Sequence, residues 1–85
     1  MLMRTHTVRR AILDLLEKCD PYPLPEPQLL EQINGFVRPP VGEEEFNEAI
    51  NFLSVRKHIS VVPGGIDPDL AQWAITATGK TLLRQ

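Results

Sequence analysis

Hydrophobic residues in the first twenty positions recur at the spacing of an amphipathic helix. Members at i, i+3, i+4, i+7, i+8 and i+11 fall on one helical face, and here they are Val8, Ala11, Ile12, Leu15, Leu16 and Cys19. Thr5 or Thr7 is predicted to cap the start of this helix, because a threonine hydroxyl accepts hydrogen bonds from first-turn amides. The helix is predicted to end at "DPYP", since proline disfavours helical backbone at the preceding residue.

The proline-rich segment "PYPLPEP" is predicted to run extended into a second, shorter helix. Proline restricts φ and removes a backbone donor, so this segment is stiff. "EPQLLEQI" then places Leu29, Leu30 and Ile33 inward, and a proline suits its first turn. The dipeptide of Asn34 and Gly35 is predicted to end the helix.

A third helix is predicted over "EEEFNEAINFLSV", after the connection "FVRPPVG". Its buried stripe is formed by Phe46, Ala49, Ile50 and Leu53. The glutamates at its start stabilise a helix N-terminus through the helix dipole. Steps of roughly 100° per residue place the outer arc at Glu44, Asn47, Glu48, Asn51 and Val55, with Phe52 at the edge of the buried stripe.

The last third of the chain changes to a pattern typical of strands. A β-branched run covers residues 59–62, turn-forming residues follow in "PGGIDPD", and Ala71, Trp73 and Ile75 alternate with polar or small residues. Two strands joined by a loop are predicted, with Trp73 covering the core. A short final helix follows, with Thr76 as its N-cap and Leu82 and Leu83 packing inward.

Three stretches carry a resemblance to the winged helix-turn-helix superfamily along nearly the whole chain: "YPLPEPQLLEQING", "FNEAINFLSVRKHISVV" and "WAITATGKTLL". The resemblance implies an α+β fold in one domain, residues 1–85, with a three-helix bundle, a C-terminal β-hairpin called the wing, and a short final helix. It also implies binding to double-stranded DNA through the third helix, in transcriptional regulation or in a phage or other mobile element.

Two positions depart from the superfamily's pattern. Members often have glycine between the third helix and the first wing strand, where a left-handed residue is needed, and this chain has His58 there. The connection between the second and third helices is longer than the three or four residues usual in a DNA-binding helix-turn-helix.

Composition and charge narrow the choice of function. The 85 residues are 42% hydrophobic and 24% charged, which suits one small soluble domain. The start lacks the features of a secretory signal, so a cytoplasmic protein without a membrane span is expected. Residues 1–10 hold three arginines and no acid, residues 11–55 hold nine acids against two basic residues, and residues 56–85 hold four basic residues against two acids. The net charge is thus positive only in the two end segments.

No motif indicates catalysis, a cofactor or a metal. His6 and His58 are far apart in sequence and lack metal-ligand spacing. Cys19 lies on the apolar stripe, which favours a small buried hydrophobe over a nucleophile. The protein is therefore predicted not to be an enzyme.

Two hypotheses remain open. For DNA binding, the asparagines would read base edges and basic residues would contact phosphates; the candidates are Asn47, Asn51, Arg56, Lys57, Arg4, Arg9, Arg10 and Lys80. For protein interaction, as a homodimer or with another partner, the surface would be Phe52, Val55, Glu44 and Glu48, whose acids oppose phosphate contact. Whether the basic ends converge beside the third helix decides between them.

Overall fold

A computed structural model describes residues 2–35, 37–62 and 71–84, with side chains described from Thr5 onward. Within these ranges the chain is α+β, as the sequence predicts. In chain order the elements are α1 (Leu2–Cys19), β1 (Leu24–Pro25), α2 (Glu26–Ile33), α3 (Glu43–Val55), β2 (Ile59–Val62), β3 (Gln72–Ile75) and α4 (Ala77–Leu83). Helix α1 contacts α2, α3, α4 and β3, so it lies at the centre of the fold.

The apolar stripe of α1 forms the middle of the core. Five of its six predicted members are buried, Cys19 is half-buried against the core, and Leu13 is buried in addition. The predicted N-cap is wrong, because α1 begins at Leu2 and both Thr5 and Thr7 lie inside the helix. The periodic stripe marks which face is buried, but it does not mark where the helix begins.

Three short strands form an antiparallel sheet in the order β1-β3-β2. The extended proline-rich segment contributes β1, where Leu24 lies opposite Trp73. The two strands predicted late in the chain are present as β2 and β3 and pair antiparallel, with Ile59 opposite Ile75. The loop predicted between them, including Asp67 and Asp69, lies outside the described residues. Trp73 is half-buried against the core and donates from Nε1 to Glu26 Oε1 at 2.9 Å.

Helices α2 and α3 bury the residues that the pattern predicts, except that Leu30 is only half-buried. The long connection between them is held by Asn34, the C-cap of α2. Its Oδ1 accepts from the Val41 amide at 2.6 Å and its Nδ2 donates to the Val41 carbonyl at 3.3 Å. Val37 and Val41 are buried, so this connection is part of the core.

The left-handed residue after α3 is Lys57, with φ of 64°, and not His58. The Lys57 amide donates to Ser54 O at 3.0 Å and the His58 amide donates to Leu53 O at 2.9 Å. These two bonds form a Schellman motif, which requires a left-handed residue at Lys57. The resemblance to the winged helix-turn-helix superfamily placed that residue at His58, one position later.

Helix α4 returns to this same turn. Thr76 caps it as predicted, because its Oγ1 accepts from the Gly79 amide at 3.1 Å; the same hydroxyl donates to Lys57 O at 2.6 Å. Leu83 packs against the core, whereas Leu82 is 38% exposed, so the prediction that both leucines pack inward is wrong for Leu82.

Candidate functional site

The cationic cleft is an open depression of about 470 Å³ between α1, the C-terminal end of α3 and α4. It is lined by His6, Arg9, Arg10, Leu13, Phe52, Leu53, Arg56, His58, Leu82 and Leu83. Three arginines and two histidines thus share this surface with five apolar residues, and no carboxylate is among the described residues that line it. Two basic segments that are distant in the sequence therefore converge beside the third helix.

Phe52 is the contact that joins α1 to α3 in this cleft. The guanidinium carbon of Arg9 lies 3.4 Å from the centre of the Phe52 ring, and that of Arg56 lies 4.3 Å from it. Cation–π contacts of this kind contribute about 0.5–1 kcal/mol when exposed and about 2 kcal/mol when desolvated. The aromatic ring at the edge of the buried stripe therefore positions two positive charges.

No carboxylate of the described residues forms an ion pair with these two charges. In the described part of the chain, Arg9 and Arg56 form no ion pair, whereas Arg10 lies 3.8 Å from Asp14 in an exposed pair. Arg9 Nε and His58 Nδ1 are buried, and within the described ranges neither has a hydrogen-bond partner. The arginines therefore give the cleft a positive charge, which attracts anions.

The two predicted base-reading asparagines are both exposed but have different surroundings. Asn51 lines a shallow depression with Arg9, Arg56 and Val55, directly beside the cationic cleft, and Glu48 is also part of that depression. Asn47 lies in a groove lined with Glu26 and Glu43. The exposed face of α3 is consequently acidic in its first half and bordered by arginines in its second half.

Two other predicted basic residues, Lys57 and Lys80, do not line the cleft. Lys80 donates to Asp20 Oδ2 at 2.7 Å, on another part of the surface. Lys57 is exposed at the turn after α3 and does not line the cleft, and the side chain of Arg4 lies outside the described residues. Of the predicted DNA-binding set, Arg9, Arg10 and Arg56 come together, with Asn51 beside them.

The predicted protein-interaction set is only partly apolar at the surface. Val55 is 70% exposed, and Glu44 and Glu48 are exposed. Phe52 is half-buried, with Arg9 of α1 and Arg56 over its ring. Val55 is therefore the main exposed apolar residue of this set.

Sequence reasoning missed the apolar part of the cleft and treated the two histidines as unrelated. The α1 side of the cleft could have been found from a second helical stripe, because His6, Arg9, Arg10 and Leu13 are spaced at i, i+3, i+4 and i+7. The contribution of Leu82 and Leu83 from α4 had no local signal.

Comparison with protein-family models, curated protein sequences and solved structures gave no significant match. Among the described helices, none combines the length and apolar character that a membrane crossing requires. Over the same residues, histidine, cysteine and acidic side chains form no group of three suited to hold a metal ion.

Proposed function

We propose that this chain is a winged-helix domain that binds double-stranded DNA with the C-terminal half of α3. The observation that carries the proposal is the convergence of Arg9 and Arg56 around Phe52, beside the exposed Asn51. Arginine contacts to phosphates orient a protein on a duplex, and an asparagine amide can bond the N6 and N7 atoms of adenine in the major groove. The order of helices and the antiparallel pairing of β2 with β3 support the winged-helix assignment.

The division of charge along α3 sets how the helix approaches DNA. Glu43 and Glu44 are exposed in its first turn and would be repelled by phosphates, whereas Arg56 stands at its C-cap. In this proposal the C-terminal half of α3 enters the groove, Arg9 and Arg10 of α1 meet the adjacent backbone, and the acidic start of α3 points away from the duplex.

Salt dependence tests this proposal. Three phosphate contacts, from Arg9, Arg10 and Arg56, give a slope of log K against log salt of about −2.7, which is about a 40-fold loss of affinity between 50 and 200 mM salt. The double variant Arg9→Gln/Arg56→Gln should bind more weakly and flatten the slope to about −0.9. Lys80→Gln is the matched control, because Lys80 pairs with Asp20 outside the cleft, and it should leave the slope unchanged.

Fluorescence anisotropy on a labelled random duplex measures both quantities. Absence of binding at 20–50 mM salt, where the Debye length is about 14–22 Å, would exclude the proposal. Equal slopes for the double variant and the wild type would show that the duplex binds a different surface.

The 70% exposure of Val55 on α3 favours a second candidate, in which this face of α3 binds another protein or a second copy of the chain. Light scattering at increasing concentration should then detect a dimer that Val55→Lys disrupts, while Val61→Lys, at another exposed valine on β2, does not. A monomer at all concentrations would rule out the homodimer.

A further inference from the structure

The lining of the cationic cleft contains both charged and apolar side chains. Arg9, Arg10 and Arg56 contribute guanidinium groups from α1 and the end of α3, whereas Leu82 and Leu83 contribute apolar surface from α4. The volume of about 470 Å³ lies within the range of small-molecule sites, which are mostly apolar with a few convergent polar groups.

Arg9 lies closer to the Phe52 ring than Arg56 does. Among the described residues its buried Nε has no hydrogen-bond partner, and its guanidinium carbon lies 3.4 Å from the centre of the Phe52 ring. A guanidinium carries five N–H donors in a planar fork that matches the two oxygens of a carboxylate. An oxyanion placed beside this guanidinium would be attracted by its positive charge and would meet no described carboxylate in the lining.

A DNA phosphate fits only half of this surface. The phosphodiester backbone is polar on all sides and would leave the apolar surface of Leu82 and Leu83 uncovered. A cation would be repelled by the arginines, and a neutral apolar molecule would cover their charges without pairing them. The occupant that matches both kinds of side chain is a small molecule with one anionic end and one apolar end.

We propose that the cationic cleft binds a small amphipathic organic anion, a carboxylate with an aliphatic or aromatic body, with its oxygens on Arg9 and Arg56 and its apolar body against Leu82 and Leu83. This site goes beyond the proposed function, because it requires no DNA. Duplex binding and carboxylate binding are measured separately, so either can fail without the other.

The experiment is a titration of the ¹⁵N-labelled protein followed by amide chemical shifts, with octanoate as the probe. Amides of His6, Leu13 and Phe52, and those of Leu82 and Leu83, should shift in a saturable manner. Octylammonium, which reverses the charge, should bind at least about tenfold more weakly, the factor expected for loss of one charge-assisted contact. Acetate, which lacks the apolar body, should also bind at least about tenfold more weakly, because burial of two CH2 groups at about 0.8 kcal/mol each already gives that factor.

Variants assign the contacts. Arg9→Met keeps an unbranched apolar side chain against Phe52 and removes the fork, so it should weaken octanoate binding by about tenfold or more. Lys18→Met removes one positive charge from an exposed position on the same helix, outside the lining, and should have no effect. Leu82→Ser, at a partly exposed position, should weaken octanoate but leave acetate unchanged. Arg56→Met provides a second test of the anion contact if Arg9→Met does not fold.

Three results would overturn the inference. Equal affinity for octanoate and octylammonium would reduce the cleft to a nonspecific apolar surface. Equal octanoate affinity of the Arg9→Met and Lys18→Met variants would show that Arg9 does not contact the ligand. Shifts confined to amides outside the cleft would place the ligand elsewhere.

Discussion

Gly79→Ala is expected to destabilise the protein, although the same change usually stabilises a helix. Gly79 lies inside α4 and is buried. A Cβ built there would overlap the carbonyl oxygen of His58 and lie 2.8 Å from Ile75 Cγ1. No described glycine has a positive φ, so this glycine is required by close packing and not by backbone conformation.

The magnitude follows from two opposing effects. Alanine gains about 1 kcal/mol over glycine in a helix interior. The overlap involves a backbone atom, which cannot rotate away, so α4 must shift from the turn after α3. Overpacking of this kind costs about 1–3 kcal/mol, and the shift also weakens the contacts that cap α4 through Thr76, worth about 1 kcal/mol each. The expected net loss is about 2 kcal/mol of the free energy of unfolding.

Urea denaturation followed by the fluorescence of Trp73 measures this loss. With a slope of about 1 kcal/mol/M, the midpoint should fall by about 2 M. Gly42→Ala is the matched control, because a Cβ there meets nothing within 4 Å; only the weaker N-cap preference of alanine, up to about 1 kcal/mol, applies. A Gly79→Ala midpoint equal to or above that of the wild type would refute the proposed packing of α4 on His58.

Two further predictions concern the turns that hold the helices. Lys57→Gly should stabilise the protein by up to about 1 kcal/mol, because relief of the left-handed conformation gains about 1–2 kcal/mol and the greater unfolded-state entropy of glycine costs about 0.5–1 kcal/mol. Thermal unfolding should show a higher Tm for Lys57→Gly and a lower Tm for the control Arg56→Gly at the preceding residue. Asn34→Ala should destabilise by about 1–2 kcal/mol because both hydrogen bonds to Val41 are lost. Asn34→Asp keeps the acceptor for the Val41 amide and should lose less, and equal urea midpoints for the two variants would contradict that role of Oδ1.

The buried faces of the helices could be predicted because they depend on local periodicity. Phe46, Ala49, Ile50 and Leu53 are all buried, and a stripe repeating at helical spacing can satisfy its hydrophobic residues in few other ways. The strands and the Thr76 cap were predictable for the same reason, since each depends on neighbouring residues.

Boundaries were less predictable because competing local signals differ by small energies. Two threonines suit an N-cap, yet α1 continues through them to Leu2. The left-handed position fell on Lys57 instead of His58, because the hydrogen bonds of the Schellman motif determine which residue takes it.

The sequence by itself determined the order of the elements, the face that each helix buries and the confinement of net positive charge to the chain ends. Only the tertiary structure decided where those charges lie. Arg9 and Arg56 both contact the Phe52 ring, whereas Lys80 forms a salt bridge with Asp20. Hydrophobic patterning is local, but the position of a surface charge depends on how elements distant in sequence pack. Helix α3 therefore begins with glutamates, whereas its opposite end, beside Asn51, is bordered by arginines.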